Sequence, residues 1–465
     1  MRKRMLLAGL LFIPGAVSAS VFDANRPVSL REDLSALAVP AAVRPEPASV
    51  PAKRTAAKDW TIMLYATTKD RKIAPYVMAQ MLQLKMAGAS DRVNMAVQGS
   101  LPVRRADGSV STMTFRMGIG RAGDTVALSA AIKQIMSARG PVDEKAFSAF
   151  ADDGITLVPT KDTGDWRVAA EFVKWAKDAY PAGRYSFVMA SHGTGVIDPD
   201  KPKTLQKGAL IDIDTGNYAT LPELRSMMEA AGKVDVVVMI ACFMQMAEVA
   251  YQLRDYAEVL VGSSDLTLAA GFDVPGMLSA LKKEPGMSAE RLGMLLVDSY
   301  TARARAMDAG GQASALRLSA MGELVRKLRG WTEAEMASGN KAALEAAKLN
   351  VFRYSIGNDA RTAIFGDLYD LVSLVVEGTT RDTPARTTAS EKGRELLRLL
   401  GEGLIYKNGY TGTNAYGGDF ARARGIGIYI PSPDAPSGLW RTLPAGYWEL
   451  PFVRDTGWGR FITGQ

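Results

Sequence analysis

Of the 465 residues, one is a histidine and one is a cysteine, His192 and Cys242, and each stands just past an apolar run. Thiol acyl transfer needs one thiolate and one imidazole, and no second copy of either. Tyr185-Ser-Phe-Val-Met-Ala190 leads into Ser191-His192-Gly193, and Val234-Asp-Val-Val-Val-Met-Ile240 leads into Ala241-Cys242. In a parallel α/β sheet, functional groups collect at the carboxyl ends of strands. Two neighbouring strands would present the imidazole and the thiol side by side, and the spacing of 50 residues leaves room for one crossover unit. A lone cysteine is by default a small buried hydrophobe. That default does not account for a strand-end cysteine matched by a strand-end histidine that a glycine follows. The composition also excludes a zinc site of Cys and His ligands, and an intrachain disulfide is impossible.

Residues 1–19 read as a secretory signal. Arg2, Lys3 and Arg4 form a basic start, Met5 to Ile13 an apolar stretch, and Val17-Ser18-Ala19 a small-residue cleavage site. The stretch is too short to span a membrane, and no Cys near the cleavage site offers a lipid anchor. The expectation is an exported bacterial protein, periplasmic or secreted, with no membrane anchor in its mature form. An unpaired thiol in an oxidising compartment asks for a reason, and reactivity supplies one. The formal charge is +7, three of whose cations lie in the signal. No Lys/Arg run with interleaved aromatics points to nucleic acid. Residues 20–57, punctuated by Pro27, Pro40, Pro45, Pro47 and Pro51, read as a linker, or as a propeptide trimmed near Lys53-Arg54.

The elements that would position the two groups are those of an α/β fold, a mostly parallel sheet flanked by helices over 59–275. Trp60 to Ala66, a helix from Ile73 to Met86 and Val93 to Gln98 form a βαβ unit. Asp107-Gly108 marks a hairpin. Further helices are expected at Val126–Arg139, Trp166–Ala179 and Leu221–Ala231. The last of these opens on the Thr220/Glu223 capping pattern. Strands are expected at Ala209–Asp214 and Glu258–Gly262, and a helix at Met244–Tyr256. The region 276–465 reads as mainly helical and packed on the core: Ser288–Met307, Ala313–Leu328, Glu333–Leu349 and Asp367–Val376, closing with the strand Gly425–Ile430.

Several strings resemble the clostripain-like cysteine peptidases, within the group of folds holding caspases, legumains and gingipains. They are Trp60-Thr-Ile-Met-Leu-Tyr, Ser191-His192-Gly193, Ala241-Cys242-Phe-Met-Gln-Met, Glu248-Val-Ala-Tyr-Gln-Leu-Arg-Asp-Tyr-Ala257 and Gly425-Ile-Gly-Ile-Tyr-Ile-Pro431. The resemblance implies a caspase-like core, Cys242 as nucleophile, His192 as general base and later acid, and an oxyanion hole from the N–H groups of Gly193 and Cys242. Glycine after the histidine also lets backbone approach a substrate carbonyl.

The departures bear on substrate. Relatives that cleave after Arg or Lys carry an Asp two residues before the nucleophile, where this chain has Ile240. They carry a second acid in a loop after the next strand, where Ala270 stands. A guanidinium buried against Ile and Ala would lose its counter-ion at a cost of several kcal/mol. The expectation is a pocket for a neutral, apolar or small residue, with Ile240 and Ala270 on its wall and Ser191 at its edge. Asp265 and Asp273 are the nearby acids that would restore basic specificity. The same change bears on self-cleavage at Lys201, Lys203 or Lys207, which the family suggests for a zymogen. No cofactor is required; calcium is raised only by Asp198, Asp200, Asp212 and Asp214, whose spacing is not an EF-hand. The helix after Cys242 is expected to lower the thiol pKa, and Trp440, Trp448 and Trp458 to serve packing. The reading is an endopeptidase acting on peptide or protein, with a non-cleaving peptide binder and a thiol transpeptidase as alternatives.

Overall fold

Strand β1 (Lys58–Thr67) is buried along nearly its whole length, as expected of an apolar run at the centre of a parallel sheet covered on both faces. The computed structural model describes residues 57–120, 122–138, 140–151, 155–158, 162–196, 208–356, 363–432 and 445–464. The signal, almost all of the Pro-rich segment, Lys201, Lys203, Lys207, Asp198, Asp200 and Trp440 lie outside them. Eleven more strands follow: β2 (Val93–Arg104), β3 (Val110–Ile119), β4 (Val142–Asp143), β5 (Thr156–Leu157), β6 (Ala182–Ala190), β7 (Val234–Ile240), β8 (Ala257–Gly262), β9 (Gly311–Arg317), β10 (Phe365–Asp367), β11 (Ile405–Thr411) and β12 (Gly427–Tyr429).

Among the described residues, ten strands form one sheet in the order β11-β9-β8-β7-β6-β1-β2-β3-β5, with β4 beside β2. The five central strands β8, β7, β6, β1 and β2 are mutually parallel, and β3 and β9 join antiparallel at either side. The chain leaves β1 toward β2 and later returns to β6 on β1's other edge. The β1/β6 junction is therefore the switch point, where open α/β sheets bind ligands.

Alternation along the strands splits the core in two. Met63, Tyr65, Phe187, Met189, Val237 and Met239 pack on one face with the helices Trp166–Ala179 and Leu221–Ala231. Ile62, Leu64, Val188, Val236 and Val238 pack on the other with Ala74–Ala87 and Ala289–Ala306. The Thr220/Glu223 capping box is formed. No helix of the described residues is long and apolar enough to cross a membrane.

The chain after 276 differs from expectation in instructive ways. Gly311–Arg317 is strand β9 and not the start of a helix; the helix begins at Met321. Its Ala-rich sequence favours helix locally, but the small side chains let the helix Ala289–Ala306 lie close, and a Cβ on Gly293 would stand 3.3 Å from that of Ala315. Together β9 and β11 extend the central sheet from beyond residue 276. The helix expected at Glu333–Leu349 is two, Met321–Ser338 and Lys341–Asn350, broken at Gly339 in the left-handed region. Ala209–Asp214 makes only isolated bridges, since Leu210 has φ 56°. Strand β12 pairs with β10, and three short helices over 445–463 follow it. Trp458 is buried there and donates to the Tyr429 carbonyl at 2.8 Å, while Trp448 is partly buried.

Candidate active site

Three strand ends meet at the switch point: Thr67 of β1, Ala190 of β6 and Ile240 of β7. The Ser191 N–H donates to the Ile240 carbonyl at 3.2 Å, which continues the β6–β7 pairing into the two functional turns. A Cβ on Gly193 would lie 2.6 Å from the Cys242 carbonyl oxygen, so only glycine lets the histidine turn rest against the cysteine turn. Neither the Gly193 nor the Cys242 N–H donates to a backbone carbonyl among the described residues.

The cysteine turn is tightly constrained. Phe243 has φ 58°, a conformation that a bulky residue adopts only when its surroundings impose it. Its N–H donates to the Asp265 carbonyl at 3.1 Å and its ring packs on Phe365. Gln245 anchors the turn's far end, donating from Nε2 to the Ser314 carbonyl at 2.9 Å. The Cys242 side chain is 2% exposed, and its Sγ accepts the Thr267 N–H at 3.3 Å. Burial pushes the thiol up to about 12. The expectation of a thiol lowered by the following helix fails for two reasons. The helix starts only at Ala247, so its positive end is a full turn away, and desolvation dominates.

His192 Nε2 lies 3.2 Å from Asp70 Oδ2, across the switch point from β6 to the loop after β1. Burial pushes the Asp70 carboxyl up, but hydrogen bonds from His192 and the Lys72 N–H outweigh it and leave it below its ordinary value. The adjacent Lys69 is buried and meets Asp212 at 2.7 Å; Asp212 also accepts from the Thr163 N–H at 2.8 Å. Lys69 stands 3.5 Å from Asp214 as well. The carboxylate of Asp212, raised above as a calcium candidate, is thus held by a lysine. Spacing along the chain did not nominate Asp70. The available signal was its position just beyond a central strand, which becomes informative once β1 is known to neighbour β6.

On the other side of Cys242 a small, mostly apolar cavity is lined by Ile240, Ser191, Leu64, Val77, Gln80 and Ala269, among others. Of the residues expected to bind substrate, Ile240 and Ser191 therefore share one space with the thiol. Ala270 is buried behind the wall, and its carbonyl accepts from Gln80 and from Arg303. The two acids are engaged elsewhere, which corrects their proposed part in the pocket. Asp265 is buried and accepts from the Ser355 N–H at 3.1 Å, and burial raises its carboxyl to about 6. Asp273 caps the helix Val274–Lys283 and pairs with Arg303 at 3.0 Å. Neither lines the cavity.

With this geometry in place, comparison with known proteins is direct. The family model Peptidase_C11, the clostripain family, matches residues 148–462. Clostripain from Hathewaya histolytica is 30% identical over 138 residues, a stretch that covers 27% of this chain and 26% of clostripain's own length. A secreted C11 cysteine protease from Bacteroides thetaiotaomicron, solved with an irreversible peptide inhibitor, superposes with TM-score 0.55 at 16% identity, covering 86% of this chain and 99% of that one. An inactive zymogen C11 protease from Parabacteroides distasonis gives TM-score 0.53 at 16% identity, covering 87% and 99%. At 16% identity these two likenesses bear on the fold alone.

Proposed function

Since the chain belongs to the clostripain family of cysteine peptidases, we propose that it is an exported cysteine endopeptidase that cuts after a neutral residue. The observation that carries this is the contact of the His192 and Cys242 turns at adjacent parallel strand ends, beside a cavity with no ionisable side chain other than the thiol among its lining residues.

In the proposed mechanism the Cys242 thiol gives its proton to His192 and attacks the scissile carbonyl, forming a C–S bond. Asp70 holds the imidazole in place. The oxyanion is received by the Gly193 and Cys242 N–H groups; one such donor contributes about 2.7–4 kcal/mol in well-studied cases. His192 then protonates the departing amine as the C–N bond breaks. Water, deprotonated by His192, cleaves the thioester, and the proton returns to the thiolate. Burial holds the resting thiol protonated, while the Thr267 N–H on Sγ favours the thiolate; a latent resting state suits a family with a zymogen structure. Export is supported by the apolar start of the chain and by a secreted relative.

Purified protein on a fluorogenic peptide library, varied at the residue before the scissile bond (P1), tests this. Thiol-dependent cleavage after neutral residues that vanishes in Cys242→Ala is expected. Cleavage confined to Arg and Lys would overturn the neutral pocket. Burial of the thiol favours a second reading, binding without cleavage. That reading predicts no turnover by wild type and equal peptide affinity for Cys242→Ala.

A further inference from the structure

The helix Ala74–Ala87 and its N-cap residue turn one stripe toward the cavity beside Cys242, made by Ile73, Val77 and Gln80 at spacings of four and three residues. Two of the three are apolar; the third is a glutamine only 5% exposed. Its Nε2 donates to the Ala270 carbonyl. The reverse orientation would set two oxygens against each other, so the amide is fixed. With Nε2 so engaged, Oε1 is the acceptor of that amide. Thr68 lines the same cavity, and its enclosed hydroxyl has no partner among the described residues. Buried polar groups in native proteins are rarely left unpaired, and a cavity next to a nucleophile is a place where a ligand completes them.

Arg303, buried behind the wall, accounts for the acceptors that a basic substrate would want. It donates to the Ala270 carbonyl at 2.9 Å and the Gly271 carbonyl at 3.1 Å, and pairs with Asp273. With Gln80 added, both lone pairs of the Ala270 oxygen are taken. A lysine or arginine entering the cavity would meet spent carbonyls and a guanidinium behind them.

We propose that Gln80 is a specificity-determining residue that reads the tip of the P1 side chain, and that the pocket is built for an amide, glutamine or asparagine. The amide N–H would donate to Gln80 Oε1, and the amide oxygen would accept the Thr68 hydroxyl. This rests on the peptidase reading above and names the substrate class of the same site. A site that hydrogen-bonds a substrate discriminates against an isostere lacking the group, because its own polar atoms are left unpaired.

The test compares four peptides identical except at P1, bearing Gln, its apolar near-isostere Met, Glu or Lys, on wild type, Cys242→Ala and Gln80→Met. Wild type is expected to cleave the Gln peptide at least about tenfold better than the Met peptide in kcat/KM, with Lys poorest. Gln80→Met is expected to bring that ratio to about one, chiefly by cleaving the Gln peptide worse than wild type does. Equal or better cleavage of Met by wild type would overturn the role of Gln80 and leave the peptidase standing, and that ratio decides even if Gln80→Met fails to fold. An unchanged ratio in Gln80→Met would overturn it too. No thiol-dependent cleavage of any of the four would overturn the peptidase reading and this one with it.

Discussion

The two sides of Cys242 differ in charge. Toward His192 the molecule gathers ionic groups: Asp70 against the imidazole and, behind it, the buried Lys69–Asp212 pair. Toward the helix Ala74–Ala87 it offers Ile240, Leu64, Val77 and the uncharged amide of Gln80. Asp265 and Asp273 are turned to Ser355 and Arg303. Charge is kept where protons would move and removed where substrate would sit. Burying a charge is tolerable only when it is paired and hydrogen-bonded, which the first side provides and the second does not.

The largest expected effect comes from breaking the charged side at its most buried point. Asp212→Ala takes the nearer carboxylate from the buried Lys69, and loss of one partner of a buried pair typically costs about 3–5 kcal/mol. Burial raises the Asp212 carboxyl, but bonds from Lys69 and Thr163 outweigh it and hold it below 3.8. Its stabilising contribution is therefore present above that value and lost as pH falls through the folded pKa. Urea titrations at pH 7 and pH 3 should show a large difference between variant and wild type at the first and a smaller one at the second. A difference within that of an exposed ion pair at pH 7 would break the contrast drawn between the two sides.

A smaller effect is expected from Asp70→Asn, which keeps the shape and removes the charge next to His192. Loss of an orienting partner should cost less than loss of the general base itself, which contributes about 10²–10⁴-fold. The fall should appear in kcat more than in KM. A change in KM alone would place Asp70 in substrate binding and remove it from proton transfer.

The mildest test concerns the thiol between the two sides. Because burial raises its pKa to about 12, the thiolate fraction in the free protein rises with pH throughout the neutral range. Alkylation by iodoacetamide, read by mass spectrometry, should be slow at pH 7 and rise about tenfold per pH unit up to pH 9. A fast, pH-independent reaction would show that the charged side already ionises Cys242 at rest.

How far the chain could be read in advance follows the same division. His192 and Cys242 were legible because residue type and strand-end position coincide in the sequence. Asp70 was not, because 122 residues separate it from His192, and the order of strands in the sheet is set by packing. Asp265 and Asp273 were drawn to the pocket by their nearness to Ala270 in the chain, yet one capping bond and one buried arginine point Asp273 elsewhere. The helices Trp166–Ala179 and Leu221–Ala231 were readable to the residue because their caps are local. Strand β9 was not, since its Ala-Ser-Ala-Leu core prefers helix until a sheet edge is offered.

The sheet order has one more consequence. Strands β6 and β7 are hydrogen-bonded side by side from Ser186–Ala190 to Val236–Ile240, and the piece of chain after β7 also supplies β8, β9 and β11. Cutting the connection between β6 and β7 would therefore separate the polypeptide without separating the particle. Such a nicked protein should run as two bands under denaturing electrophoresis and as one peak in gel filtration. The two pieces should melt together, joined by the seam that also aligns His192 with Cys242.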